Sequence, residues 1–490
     1  MPKTNRPLTV VALVLSLAMG ALEATVVSTA MPTVIGDLGG IEHYSWVFTA
    51  YLLASTVTVP LYGKLADLYG RKPILLFGIA LFLVGSAASG ASRTMTQLIA
   101  FRTAQGLGAG AMQPVALTVV GDIFDLEERA RMQGVFGAAW GLSGLVGPML
   151  GGVIVKYLSW RWVFYVNLPF GVAAAGLLVV ALHERIEKRA RSLDLGGAAI
   201  LTAAIVALLF GASGGAGAKP ALAAAAVLLV VFIAYERRVP EPVVPLDLFT
   251  RRVIAVSSLA GAIIGGAMIA TLTYVPLFVQ GVLGGTATEA GGAITPMVIT
   301  WPIASALSGR LIPRAGFRFL VRVGLGVTAV AALALALPAA QTSGMWPLRL
   351  ATGVFGIGMG FANTALLIAV QTSVSWKQRG IATASTMFFR TIGGTLAVGV
   401  MGGLLRSALE ADPSIPAGAA SQLLGPDRGR SLDQATVAHL AGALREGVGS
   451  IFRLIAGLAV VAFATSLLFP HVVTAPPDTP PPTPPSRPGA

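Results

Sequence analysis

Apolar residues in this chain come in long, nearly unbroken runs, with short polar stretches between them. The runs begin near Leu8, Tyr44, Ile74, Gln97, Gly134, Val163, Leu195, Ala221, Val253, Glu289, Phe319, Trp346, Gly380 and Ser450. Each suits the roughly 17–25 residues that a helix needs to cross a bilayer. The run from Ala221 is the weakest, because alanine dominates it. Transmembrane strands would show two-residue alternation over about ten residues, and no such pattern occurs. In lipid every backbone polar group must be satisfied within the chain, so these runs predict helices. The expectation is an all-α membrane protein with fourteen spans. The first run follows Lys3 and Arg6 as a signal peptide would, but it contains Glu23 and continues to about Pro32. That is too long for a signal core, and the run reads as a retained first helix.

The loops carry an orientation signal. An even number of spans puts both termini on one side. The loops on that side hold 22 of the 34 Lys and Arg, against 9 in the opposite loops and 3 (Arg102, Arg390, Arg453) within spans. Basic residues stay in the cytoplasm, so both termini are expected there, in a multi-pass protein of the cell inner membrane.

An internal echo suggests duplication. The loop Gly63-Lys-Leu-Ala-Asp67-Leu-Tyr-Gly70-Arg71-Lys72 matches Gly309-Arg-Leu-Ile-Pro-Arg-Ala-Gly316-Phe-Arg318 at a separation of 246. Arg102, Ala104 and Gly106 echo Arg349, Ala351 and Gly353 at 247. Two parallel six-helix bundles follow, 1–182 and 253–470. A linker with two inserted helices spans 183–252, and a Pro-rich tail expected to be disordered spans 471–490. The stretch 406–446 reads as an outer loop, in which Ser431-Leu-Asp-Gln434 resembles a capping box opening a short amphipathic helix that leads into the last span. Transporters are often built from such repeats, with the substrate site between the halves.

Composition narrows the chemistry. With 55% hydrophobic and 11% charged residues, and a mean hydropathy of +0.79, lipid must cover part of the surface. Cysteine is absent, which rules out disulfides and thiolate metal sites, and four scattered histidines form no metal spacing. No cofactor and no nucleic acid are expected; the net charge of +13 sits mostly in topogenic loops. The spans hold too few ionisable groups for a catalytic constellation, so an enzyme is not expected. A channel would repeat re-entrant filter segments instead of a two-fold helical pattern.

Glu23 is the one acidic residue well inside a span. Such groups are expensive and face a cavity or a partner. Counting from the outer ends of their runs at ~1.5 Å per residue, Glu23 and Arg102 both lie roughly 9–14 Å deep, so they can meet. In the fifth run Gly137, Gly141, Gly144, Gly147, Gly151 and Gly152 recur at three- and four-residue spacing, which suits close helix packing. Pro148 bends that helix. Gly63 and Gly70 would allow close approach and a tight turn, and Asp67 can cap a helix N-terminus. Glu289 opens the tenth span and Arg390 lies mid-span. Gln113, Asn363, Tyr274 and Trp301 offer amide and aromatic lining for a substrate cavity.

These motifs together resemble the major facilitator superfamily, and within it the fourteen-span drug:proton antiporters, over nearly the whole chain to about Pro470. Gly63–Lys72 looks like the superfamily's signature loop, and Leu98–Gly110 its fourth-helix motif. Gly147-Pro148-Met-Leu-Gly151-Gly152 resembles the antiporter motif that accompanies export. Trp160–Pro169 is similar to the entry to helix six, and Leu22–Pro32 to the first-helix motif. There Glu23 stands where the family usually has aspartate and Ser28 where it has asparagine. In the second loop Pro313 replaces an aspartate. The resemblance implies that Asp67, Arg71 and Asp122 form a charge cluster steadying the outward-facing state. A place inside a span beside Arg102 makes Glu23 the expected carrier of the coupling proton. The function implied is proton-coupled export of lipophilic, cationic drugs by a monomer in the bilayer. The alternative is a dedicated exporter of one endogenous lipid or secondary metabolite.

Overall fold

Where the sequence carries an apolar run, the chain is helical. The computed structural model describes residues 4–124, 126–184, 194–212, 217–239, 242, 244, 246–337, 344–374, 379–411, 416, 419–424 and 433–471, and no strand occurs among them. The helices are α1 (Arg6–Leu38), α2 (Tyr44–Tyr69), α3 (Arg71–Gly90), α4 (Met95–Ile123), α5 (Leu126–Tyr157), the one-turn α6 (Trp162–Tyr165) and α7 (Asn167–Ala181). Then follow α8 (Leu195–Ala212), α9 (Ala218–Glu236), α10 (Arg252–Gly281), α11 (Ala287–Ala315), α12 (Phe317–Ala336), α13 (Met345–Thr372), α14 (Arg379–Glu410), α15 (Ala419–Leu424) and α16 (Gln434–Leu467).

Among the described residues, 11 helical stretches are long and apolar enough to cross a membrane, with α6 and α7 joined in one. The expected fourteen therefore exceeds what length and composition establish. The apolar parts of α2 and α8 are shorter, Tyr44–Val59 and Gly196–Gly211. Helix α4 falls short because it carries Arg102, Gln105, Gln113 and Asp122. The weak run at Ala221 does form a helix, α9. The last helix starts at Gln434 and not near Ser450; its first turns hold His439, Arg445 and Glu446, which hide it from an apolar count. Asp433 caps it by accepting the Thr436 amide at 3.1 Å. Ser431, the expected cap, lies outside the described residues, as does the tail from 472.

Helices α1–α7 pack among themselves, and so do α10–α16. Helix α8 rests on α9, α14 and α2, whereas α9 is mostly exposed along its span. The two sets meet mainly along two seams, α5 against α11 and α2 against α14, and α1 also touches α10, α11 and the short α15.

Two turns reveal the duplication. Gly70 (φ 96°, ψ 152°) joins α2 to α3 as a single residue, and Gly316 (φ 76°, ψ 158°) joins α11 to α12 in the same way. Positive φ at ψ near 155° is open to glycine at little cost, so both echoes are backbone requirements. The second echo is out of register. Gly106 packs on Tyr51 and Ala54, and Gly356, not Gly353, packs on Met297 and Thr300. Likewise Gly110 meets Ser55 and Thr58, and Gly360 meets Trp301 and Ala304. Helices α2 and α11 thus correspond at 246, but α4 and α13 at 250. The cause is the connection: α3 to α4 runs from Gly90 to Met95, and α12 to α13 from Ala336 to Met345. Thr352, not Arg349, therefore stands in the place of Arg102. Arg102 Nε donates to the Val47 carbonyl at 3.3 Å, and Thr352 Oγ1 to the Ala293 carbonyl at 2.7 Å.

The two ends of the bundle differ. One end carries Gly70 and Gly316; the other carries Leu38, Trp160 and Gly281. Near the Trp160 end a single apolar core joins Val26–Ile35 of α1 and Tyr44–Phe48 of α2 to Ala270–Val279 of α10. The Tyr44 hydroxyl donates to the Thr273 carbonyl at 2.6 Å, and Gln280 Nε2 to the Thr29 carbonyl at 3.1 Å. Toward the Gly70 end, Leu13, Leu75, Phe82 and Val115 form a separate core within the first half. The halves are thus sealed together at the Trp160 end.

Candidate functional site

Glu23 sits where four helical segments of the first half converge. Its carboxylate has no exposure, and the Arg102 side chain is 2% exposed. Arg102 Nη1 ion-pairs with Glu23 Oε1 and donates to Gln105 Oε1 at 2.7 Å. The guanidinium carbon lies 4.2 Å from the centroid of the Tyr51 ring, a cation–π contact from α2. Asn167, at the start of α7, donates Nδ2 to Glu23 Oε2 at 2.6 Å and to Ser86 Oγ at 3.0 Å. Ser86 in turn donates to the Phe164 carbonyl at 2.8 Å.

The α-helical rise brings Glu23 and Arg102 to one depth, and the tertiary structure pairs them. Both carboxylate oxygens are engaged, and each donor is itself held, which is the condition for a charge to persist away from water. Gln105, one turn after Arg102, had its signal in that i,i+3 spacing. Asn167 had only its place as a lone amide beside the Trp160–Pro169 motif. The ensemble is a buried carboxylate with a fixed cationic partner, enclosed within one bundle.

The glycines of α5 divide into two faces. Gly147 and Gly151 lie on α1: a Cβ on Gly147 would stand 2.9 Å from the Thr25 Cβ, and one on Gly151 2.9 Å from the Val26 carbonyl oxygen. Gly141 and Gly152 lie on α11, where added Cβ atoms would stand 2.8 Å from Pro302 Cγ and 2.6 Å from Thr288 Cα. Pro148 is on this second face, its carbonyl against Gly291 of α11. One helix is smooth on both sides, so it lies flush on α1 and on the opposite half. The surroundings of Gly137 lie outside what is described.

At the Gly70 end, Arg71 Nε pairs with Asp122 Oδ2 at 2.8 Å. The Asp67 side chain lies outside the described residues. Glu184 places its carboxylate on the first amides of α3, accepting from the Arg71 amide at 2.8 Å and the Lys72 amide at 3.0 Å. Lys72 Nζ donates to the Val179 and Leu182 carbonyls at 2.7 and 2.8 Å. Glu184 closes the α2–α3 turn onto the end of α7. Nothing in the sequence pointed to it, since it follows its helix in a mixed-charge stretch. Gly63 does not provide a close approach: a Cβ there would meet nothing within 4 Å.

The remaining candidates separate. Glu289 is exposed and forms a capping box with Thr286, accepting from its amide at 2.7 Å. Tyr274 is not lining: it is fully buried, and its hydroxyl donates to the Val398 carbonyl at 3.1 Å. Gln113, Trp301, Asn363 and Arg390 are half-buried within α4, α11, α13 and α14. Among the described residues no cluster of His, Cys, Asp and Glu could hold a metal ion.

The profile of the Major Facilitator Superfamily matches residues 13–398. The multidrug transporter protein MdtP of Bacillus subtilis is 37% identical over 413 residues, covering 83% of this chain and 76% of its own. Multidrug resistance protein 3 of the same organism is 36% identical over 401 residues, covering 80% and 78%. Among solved structures, a bacterial homologue of the human lysosomal transporter Spinster superposes with a TM-score of 0.69 at 16% identity, over 96% of this chain and 98% of that one. A D-xylose–proton symporter gives 0.65 at 14% identity, over 96% and 99%.

Proposed function

This chain belongs to the Major Facilitator Superfamily, and on that premise we propose that it is a proton-coupled exporter of lipophilic small molecules. Efflux is supported by the relatives' names, multidrug transporter and multidrug resistance protein. We read the chain as fourteen spans in two six-helix bundles plus the inserted α8 and α9. Both termini are cytoplasmic in this reading, from the side on which Lys and Arg gather. The Gly70 end is then cytoplasmic, and in this reading the sealed Trp160 end closes the halves to the outside.

The observation that carries the coupling is the enclosure of Glu23 with Arg102. An ionised Glu23 holds α1 against α4 through the guanidinium. Proton uptake removes that charge, leaving Arg102 with Gln105, the Val47 carbonyl and the Tyr51 ring. The pair loosens, and α1 becomes free to change its packing against α5 and α10. Return of the proton on the other side closes the pair again. Because α1 lies on Gly147 and Gly151, its movement passes to α5 and so to the seam with α11. Asp67, Arg71 and Asp122 steady the alternate state at the cytoplasmic end. No covalent step is needed. An attraction for cations, expected from Glu23 alone, is weakened here because Arg102 already neutralises it.

Everted membrane vesicles test this. An imposed proton gradient should drive dye efflux by the wild type, and dye addition should release protons. Glu23→Gln should abolish both while the protein reaches the membrane in normal amount; Glu23→Asp should keep part of the activity. Full gradient-driven efflux by Glu23→Gln would sink the assignment.

A further inference from the structure

Among the described residues Arg390 is a cation without a counter-ion. Among the described residues no hydrogen bond or ion pair engages its guanidinium, although it is half-buried in the middle of α14. At the helical rise it stands about 16 Å from Arg379 and about 30 Å from Glu410, too far for its side chain to reach either end. Helix α14 is flanked by α2, α8, α10, α13 and α16, so Arg390 stands among helices of both halves and of the inserted pair. The stem of Arg390 passes Gly265 of α10, where an added Cβ would stand 2.7 Å from its Cγ. That glycine makes room for the arginine.

Two further polar side chains share this situation. Asn363 of α13 is half-buried at about 14 Å from Thr372, close to the depth of Arg390. Gln113 of α4, in the opposite half, is half-buried at about 15 Å from Ile123. Neither makes a side-chain hydrogen bond among the described residues. Unsatisfied polar groups at one depth on both halves call for water or a ligand as partner. Its charge is positive. Among the described residues, the charged side chains withdrawn from the surface in mid-helix are Glu23, Arg102 and Arg390. The first two cancel, which leaves the positive charge of Arg390.

We propose that Arg390 is the anion-binding group of the substrate site, and that the exported compound is an amphiphile bearing a carboxylate, sulfonate or phosphate. This rests on the export reading above. A guanidinium in a low-dielectric cavity binds such groups through paired charge-assisted hydrogen bonds, with Asn363 and Gln113 as flanking amides. The apolar part of the ligand takes the aliphatic and aromatic surface around it. A cationic drug would meet uncompensated repulsion at the same place.

Three probes on one scaffold test this with purified full-length protein: a pyrenebutyl sulfonate, the matching trimethylammonium and the matching alcohol. Binding is read by fluorescence polarisation and export in proteoliposomes. The sulfonate should bind best, and Arg390→Gln should weaken it about tenfold or more while changing the alcohol little. Arg390→Lys should retain part of the affinity, which separates lost charge from lost folding. Preference for the ammonium probe, or unchanged sulfonate binding by Arg390→Gln, would overturn the anion site. Sulfonate binding that depends on Arg390 without any export would keep the site and overturn the exporter reading. Competition by phosphatidylglycerol marks a lipid headgroup as the natural anion, and its failure to compete marks a free amphiphile.

Discussion

Asn167 donates its side-chain amide to Glu23 Oε2 at 2.6 Å, from the first residue of α7 to the middle of α1. Ser86 fixes that amide by taking its second N–H at 3.0 Å. The carboxylate is therefore held from two sides, by a charge and by an oriented dipole.

Removing the dipole should tell a proton carrier from a structural salt bridge. Asn167→Leu leaves a buried carboxylate oxygen unsatisfied, a cost of about 1–3 kcal/mol. The pH at which efflux is half-maximal should move, and Ser86→Ala should move it in the same sense by less. Unchanged pH profiles in both, with a lowered melting temperature, would leave the cluster a structural role only.

The two faces of α5 predict different losses. Gly147→Val places methyl groups on Thr25 and should disturb α1 against α5. Gly152→Val places them on Thr288 and should disturb the seam between the halves. Overpacking of this kind costs typically about 1–3 kcal/mol. Gly63→Ala is the control: with open space around it, the melting temperature should stay unchanged or rise slightly. A strong drop for Gly63→Ala would contradict the packing described.

Gly70 and Gly316 make the same turn, so Gly70→Ala and Gly316→Ala should cost similar amounts. A side chain at positive φ costs about 1–2 kcal/mol. Thermal unfolding of each variant measures it. A loss in one and not the other would break the equivalence of the two halves at this point.

Glu184→Gln should loosen the start of α3, because it replaces a charged acceptor of two amides beside Arg71. A loss of about 1–3 kcal/mol is expected for a mostly buried charged cap of this kind. Hydrogen exchange at Arg71–Ile74 should quicken, and transport should slow with little change in apparent affinity. Exchange equal to the wild type would remove Glu184 from the turn.

The seal at the Trp160 end can be trapped. The chain lacks cysteine, so Thr33→Cys with Gln280→Cys introduces one candidate pair; Thr33 Oγ1 and Gln280 Oε1 lie 3.4 Å apart. Oxidation should stop export and reduction should restore it. Efflux that persists in the fully cross-linked protein would show that the halves need not part there.

Periodicity and spacing reach as far as a single helix reaches. Apolar runs set where helices form, because a chain in lipid must satisfy its own backbone. The signature loop and its echo set the two glycine turns at Gly70 and Gly316, because positive φ favours that residue. The regular rise placed Glu23 and Arg102 at one depth before any partner was known. What lies across a helix was not legible in this way. The register of α4 against α13 depends on the length of a connecting loop, so the apparent match of Arg102 to Arg349 was off by the extra residues and Thr352 holds that place. The second donor to Glu23 comes from the start of α7 and the cap of α3 from Glu184, because lateral neighbours are chosen by the rotation of whole helices. The mid-span place of Arg390 is legible in the sequence, but only the arrangement of five helices around α14 leaves it without a counter-ion among the described residues. Depth is a property of the chain, and partnership is a property of the packing.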